Sequence, residues 1–233
     1  MDQNDLEASA IRLQKRIGYT FKDKVLLRVA LTHPSLTHNN KDHPENNQRM
    51  EFLGDAVLDL ILAEELYKTY PDEREGFLGQ CRSSMVRGET LSEIARNLKI
   101  QNALLLSPSE ERNKGRNKDS NLEDALESLT GAIYLDSDYK SVRKVVLKWF
   151  KKLLQNLEKK VAKDNPKGNL QEAVQAKGNE PIEYRVLNVD GPDHAREFKI
   201  AVFIGGKRKG TGVGNSKKKA EEIAAEKAFK RMK

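Results

Sequence analysis

Residues 46–67 read NNQRMEFLGDAVLDLILAEELY, and the fold turns on how this stretch is read. It is apolar enough to be a buried helix, yet it carries Glu51, Asp55 and Asp59. Residues four apart on a helix project from nearly the same side, so Glu51 and Asp55 point together beside a stripe of Leu53, Val57, Leu60 and Ile61. The two acids therefore border the core, while Asp59 drifts off the stripe. Residues 121–136, NLEDALESLTGAIYLD, repeat the arrangement: Asp124 and Glu127 stand three apart, flanked by Leu122, Ala125, Leu126 and Leu129. Gly131 and Ala132 would let this second helix lie close to another.

Two such acidic pairs facing each other repel and raise one another's proton affinity unless a cation sits between them. An all-carboxylate donor set with no histidine or thiolate favours magnesium or manganese over zinc. The competing reading is a pair of solvated helix faces. The residues alone leave both readings open: a lone i, i+4 pair favours solvated faces, and two pairs pressed against apolar stripes shift the balance modestly toward a site.

The bulk numbers set the frame. A chain of 233 residues has room for one large domain and one small one. The single cysteine, Cys81, permits no intrachain disulfide and suits a reducing compartment. The start, MDQNDLEASA, lacks the basic and apolar runs of a secretory signal, and no later segment is apolar enough for a membrane span. A soluble, cytoplasmic protein with no membrane partner is the expectation. Of 42 Lys/Arg and 35 Asp/Glu, 18 and 11 lie from Glu158 onward, leaving 24 of each before it. The whole surplus of +7 thus sits in the last third, the pattern of a polyanion-binding module attached to a neutral domain.

Periodicity divides the chain in the same place. Thr20 to Asp23 read as a capping box ahead of Val25, Leu26, Val29 and Ala30, and Thr32-His33-Pro34-Ser35 ends that helix. The polar run Thr37 to Asn47 reads as a loop, and Tyr70-Pro71 closes the quoted helix. Further helical patterns cover Phe77–Arg87, Thr90–Leu98, Asn121–Leu135 and Tyr139–Leu157, with no convincing strand among them. Residues 1–157 are therefore expected to form an all-α domain and residues 158–166, charged and with little to bury, a linker. Residues 167–233 read as α+β: a short helix at Asn169–Gly178, strands at Ile182–Val189, Glu197–Ile204 and about Lys207–Val213, a Gly205-Gly206 hairpin, and a helix from Ser216.

Other chemistries find little support. The four histidines are followed by Pro, Asn, Pro and Ala, so the His-Asp pair of helical metal phosphohydrolases is absent. No GxxxxGK[ST] loop occurs, and Gly210-Thr-Gly-Val-Gly214 does not open a helix as a dinucleotide site requires. His33, in a Thr-His-Pro-Ser turn, reads as structural.

NQRMEFLGDAVL, RIGYTFKD, ALTHPS, EGFLGQCRSSMVRGETL and GRNKDSNLEDALESLTGAIYLD together resemble, in order, the segments of the ribonuclease III family of double-stranded-RNA endonucleases. NPKGNLQEAVQ, GPDH and GNSKKKAEEIAAEKA resemble the double-stranded-RNA-binding domain that follows in such enzymes. The resemblance implies a helical endonuclease domain and an αβββα binding domain. It implies magnesium, with manganese as substitute, held by Glu51, Asp55, Asp124 and Glu127, with Asp55 and Glu127 closest to the chemistry. It also implies hydrolysis to 5′-phosphate and 3′-hydroxyl ends, a homodimer, and roles in ribosomal and messenger RNA processing; from the residues, Phe52, Leu53 and the loop before them could serve a dimer interface, although core packing explains Leu53 equally well. Gln48 stands where many members have Glu, and Glu75 matches a further acidic position, a secondary site. Gly79 replaces a usual Ser or Thr, and Lys114-Gly115 replaces a Gly pair.

By the same resemblance, Gln171, Glu172 and Gln175 would meet one minor groove of an RNA duplex and His194 the next. Lys217, Lys218 and Lys219 would meet phosphates across the intervening major groove, beside the positive end of their helix. Two rival readings remain at this point: a binding protein on the same fold with an idle catalytic site, and a basic DNA-binding regulator supported by charge alone.

Overall fold

The computed structural model describes residues 3–37, 45–157, 165–192 and 196–232. Contacts divide the chain into two units, Met1–Leu157 and Glu158–Lys233.

The first unit is built around two helices, α4 (Gln48–Thr69) and α8 (Asp119–Asp136). Leu58, Ile61, Leu62 and Leu66 of α4 are buried with Leu122, Leu126, Leu129 and Ile133 of α8. The helices pack unusually closely, because glycines stand where they cross. A Cβ added to Gly54 would lie 1.7 Å from the Glu127 carbonyl oxygen, and one added to Gly131 would lie 2.3 Å from that of Met50. Backbone thus meets backbone at the crossing.

Around this pair lie α1 (Gln3–Ile17), α2 (Lys24–Ala30), α3 (Pro34–Thr37), α5 (Glu75–Met85), α6 (Gly88–Leu98), α7 (Pro108–Arg112) and α9 (Tyr139–Leu154). Two 3₁₀ turns, Ile100–Asn102 and Gly115–Asn117, join α6 to α8. Polar ties fix the outer helices. Ser128 Oγ donates to the Ala30 carbonyl at 3.1 Å, and Trp149 Nε1 to that of Ile17 at 2.8 Å. Asp136 accepts from the Tyr19 hydroxyl at 2.6 Å and from the Lys22 and Asp23 amides at 2.9 Å each. Burial would raise the Asp136 carboxyl, but these donors outweigh it and hold the group below its ordinary value.

Several sequence expectations need correction. Leu60, assigned to the apolar stripe of α4, is 57% exposed, because a helix of this length presents an outer side that its neighbours do not cover. The expected capping box is a simpler cap: Asp23 is itself the N-cap of α2 and accepts from the Val25 amide. Helices α1, α3 and α7 were not anticipated. The loop expected at Thr37–Asn47 lies mostly outside the described residues, as does the linker 158–166 except for its last two positions. β-pairing in the first unit amounts, among the described residues, to one bridge between Thr32 and Leu105.

The second unit runs α10 (Pro166–Gln175), β1 (Ile182–Asp190), β2 (Glu197–Ile204), β3 (Lys207–Gly214) and α11 (Lys217–Lys230). The strands form an antiparallel sheet in the order β1-β2-β3, with Ile182 opposite Ile204 and Ile204 opposite Lys207. Gly205 and Gly206, at φ 54 and 74, supply the two left-handed residues that a tight hairpin needs. Leu170 and Val174 of α10 share a core with Val202, Ile204, Ala224, Ala225 and Ala228.

The Gly210-x-Gly-x-Gly214 alternation belongs to this packing. Cβ atoms on Gly210 and Gly212 would lie 2.2 and 2.0 Å from the carbonyls of Ala224 and Ala220, so β3 lays bare backbone against the alanine face of α11.

Candidate active site and RNA-binding surface

The α4–α8 crossing that brings Gly54 against Glu127 also brings the carboxylates together. Glu51 and Asp55 sit on α4, and Asp124 and Glu127 on α8. Glu127 is partly buried, and its proton affinity registers the gathering. Burial first, then the charges of Asp55, Glu123, Glu51 and Asp124, push its pKa up to about 8. Glu51 is raised by burial, then by Asp124, Glu123 and Asp55. Burial also raises Asp124, against the lowering influence of His33. All four acids singled out in the sequence thus meet in one electrostatic neighbourhood.

A fifth member of that neighbourhood was missed. Glu123, one turn ahead of Glu127, is raised by burial and then by Asp124, Asp119 and Asp55. The signal was present in the sequence, since 123 and 127 are spaced i, i+4 and share a helix face.

The donor set is entirely oxygen and mutually repelling, which suits a hard divalent cation. Among the described residues, however, no three His, Cys, Asp or Glu side chains stand placed to hold a metal ion. Unneutralised carboxylates gain by standing apart, and the side chains would have to swing inward to coordinate one.

Other expected positions are more peripheral. Gln48 and Glu75 are exposed, each the first residue of its helix. The Gln48 amide donates to Asn46 Oδ1 at 3.1 Å. His33 shapes a turn: its Nδ1 accepts the Ser35 amide at 3.1 Å and lies 2.8 Å from the Ser35 hydroxyl oxygen. Asp59 is half-buried, and its Oδ1 has no hydrogen-bond partner among the described residues. Phe52, Leu60 and Tyr67 are 81%, 57% and 74% exposed on the outer side of α4.

In the second unit Gln171, Glu172 and Gln175 are exposed on α10. Lys217, Lys218 and Lys219 are exposed in the first turn of α11, where the Ser216 hydroxyl caps the Lys219 amide at 3.2 Å. Lys219 Nζ also lies 3.6 Å from Glu222. His194 falls outside the described residues.

No described helix is long and apolar enough to cross a membrane. Comparison with known proteins agrees with the division of the chain. Residues 23–154 match the model of a ribonuclease-III-like family, and residues 166–232 that of the double-stranded RNA binding motif. Ribonuclease 3 of Aliivibrio fischeri is 40% identical over 222 residues, 95% of this chain and 97% of that protein. Ribonuclease 3 of Desulforamulus reducens is 40% identical over all 233 residues, 94% of that protein.

Among solved structures, the nuclease domain of ribonuclease III from Campylobacter jejuni, described as flexible in a region involved in dimer formation, is 40% identical. It superposes with a TM-score of 0.57 over 60% of this chain and 95% of that one. With two curated relatives aligned almost end to end and both units matched in order, the chain belongs to the ribonuclease III family.

Proposed function

We propose that this protein hydrolyses phosphodiester bonds of double-stranded RNA at a site formed by Glu51, Asp55, Asp124 and Glu127, leaving 5′-phosphate and 3′-hydroxyl ends. The observation that carries the reading is the close α4–α8 crossing at Gly54 and Glu127, which sets a partly buried carboxylate among the like charges of Asp55, Glu51 and Asp124. Such an arrangement costs stability and is rational as a receptacle for a cation. Magnesium, or manganese in its place, supplies a water of lowered pKa and neutralises charge on the phosphoryl oxygens when bound. The four carboxylates would hold that ion once their side chains turn inward. Glu127 would hold the ion as a carboxylate from α8, and Asp55 would hold it from α4. The close α4–α8 crossing keeps the two acidic pairs in register.

Residues 167–233 are the duplex-binding domain in this reading, 1–157 the endonuclease domain and 158–166 the linker. Gln171, Glu172, Gln175 and His194 meet 2′-hydroxyls in the shallow minor groove of A-form RNA. Lys217, Lys218 and Lys219 meet phosphates, reinforced by the amino end of α11. The exposed Phe52, Leu60 and Tyr67 stripe of α4 is the face on which a second copy docks, which makes the active form a homodimer. Gln48 stands at the rim of the acidic site in this reading, and Glu75 acts behind the direct ligands or near the site of a partner subunit, both as secondary positions. Ribosomal precursors and structured messengers in the cytoplasm are the substrates this reading implies.

Labelled duplex RNA incubated with magnesium, manganese or a chelator tests the whole. Fragments bearing 5′-phosphates are expected with either ion and none with the chelator. Glu127→Gln and Asp55→Asn are expected to bind the duplex and leave it whole. Duplex protection without scission by the wild type would instead establish an idle binding protein, and equal competition by B-form DNA a general DNA binder.

A further inference from the structure

The duplex contacts proposed above lie on two helices of the second unit, and one side chain joins them. Lys167 stands in the first turn of α10, four residues before Gln171 and eight before Gln175, so the three share a helix face. Its Nζ lies 2.7 Å from Glu221 Oε2 on α11 and 4.4 Å from the centre of the Tyr184 ring on β1. Glu221 in turn stands four residues after Lys217, one turn along the same face. The Lys167 and Glu221 side chains are 42% and 26% exposed, so the pair is partly shielded from water. A cleft of about 330 Å³ opens beside it, lined in part by Lys167, Gln171, Gln175 and Tyr184.

The apolar contact between these helices sets Leu170 and Val174 of α10 against Ala224, Ala225 and Ala228 of α11. Burial of this kind is non-directional, and alanines offer a shallow surface that resists sliding only weakly. The ion pair, with the tyrosine ring beneath the ammonium, adds a directional tie. The ammonium is thus engaged within the unit instead of being presented to a phosphate.

We propose that Lys167, bridged to Glu221 and seated over Tyr184, is a positioning residue for duplex recognition: it sets the minor-groove face of α10 at the spacing from the lysines of α11 that A-form RNA requires. The inference rests on the contact assignments above and deepens them. Grooves of A-form and B-form duplexes differ in width and depth, so a fixed spacing between the two helices selects RNA beyond what 2′-hydroxyl contacts alone provide.

Anisotropy titrations of the full-length protein with chelator test this, against duplex RNA and duplex DNA of one sequence, across a salt series and well below the melting temperature. Lys167→Met and Glu221→Gln are each expected to narrow the preference for RNA over DNA by about threefold, within the span of a partly exposed ion pair, and the double variant to narrow it no further. Lys167→Arg keeps the charge and is expected to stay close to wild type. Charge alone predicts otherwise for Glu221→Gln: losing an acid beside Lys217 would tighten RNA and DNA alike and leave the ratio unchanged. The salt slope of Lys167→Met is expected to match wild type; a fall of about 0.9 would make Lys167 a phosphate contact and overturn the proposal.

An unchanged preference in both single variants also overturns it, whatever their melting temperatures, since a pair that only stabilises the fold changes melting and not the ratio. Replacing Gln171, Glu172 and Gln175 together with Ala separates this from the parent reading. If that variant loses the preference and Lys167→Met does not, the inference fails and the contact assignments stand. If that variant keeps the preference, the assignment of α10 fails and this inference with it.

Discussion

Gly54 stands directly against the backbone of Glu127, so close that a Cβ at position 54 would lie 1.7 Å from the Glu127 carbonyl oxygen. The same residue that brings its side chain to the acidic cleft uses its backbone to seat the helix opposite. Packing and chemistry are therefore joined at one point.

Gly54→Ala should separate α4 from α8, because a backbone carbonyl cannot rotate aside as a long side chain can. Overpacking of this kind costs about 3 kcal/mol, at the upper end of the usual range. Cleavage of duplex RNA is expected to fall by at least tenfold at a temperature where the variant remains folded, with duplex binding by the second unit retained. Normal turnover in Gly54→Ala would show that the helix spacing does not govern the cleft.

The pH dependence of stability should reveal the burdened acid. Glu127 has a folded pKa of about 8, above that of an unfolded glutamate. Its protonated form therefore stabilises the metal-free fold fully below the unfolded value, and that contribution is lost as pH rises through about 8. Melting temperatures of wild type and Glu127→Gln, measured with chelator from pH 4 to 9, are expected to diverge, the variant becoming the more stable toward alkaline pH. Parallel curves would refute the shift.

Lys217, Lys218 and Lys219 predict a salt signature. If each neutralises one phosphate, replacing all three with Ala should flatten the slope of log affinity against log salt by nearly 3, at about 0.9 per contact. Filter binding of duplex RNA across a salt series measures it. An unchanged slope would remove these residues from the interface.

Lys114 is a stability test independent of function. It occupies the left-handed region at φ 57, where a side chain costs roughly 1 kcal/mol. Lys114→Gly is expected to raise the stability of the helical unit by up to about that amount, or a melting shift of about 2 to 4 °C. A lower melting temperature would mean that the lysine side chain makes a compensating contact.

The departures from the family pattern now have different physical weights. Lys114 strains a turn, whereas Gly79 sits in α5 with only the Glu75 side chain near the position its Cβ would occupy, at 4.0 Å. Gln48 is exposed at the start of α4. None of the three displaces a carboxylate of the cleft.

The sequence by itself determined a great deal. Helical periodicity put Glu51 with Asp55 and Asp124 with Glu127 on the borders of two apolar stripes. Alternation, the glycine pair and the charge surplus after Glu158 gave the αβββα module, because these are local properties that a chain carries whatever surrounds it. Tertiary structure decided what local pattern cannot express. The stripe reading placed Leu60 inside, but burial depends on which neighbours cover a helix, and none described here covers that side. Glu123 had the spacing of a site residue, yet only the crossing of α4 over α8 set it beside the acids of α4. Electrostatic coupling acts through space between chain segments distant in sequence, so it follows from where helices cross and cannot be read from either helix alone.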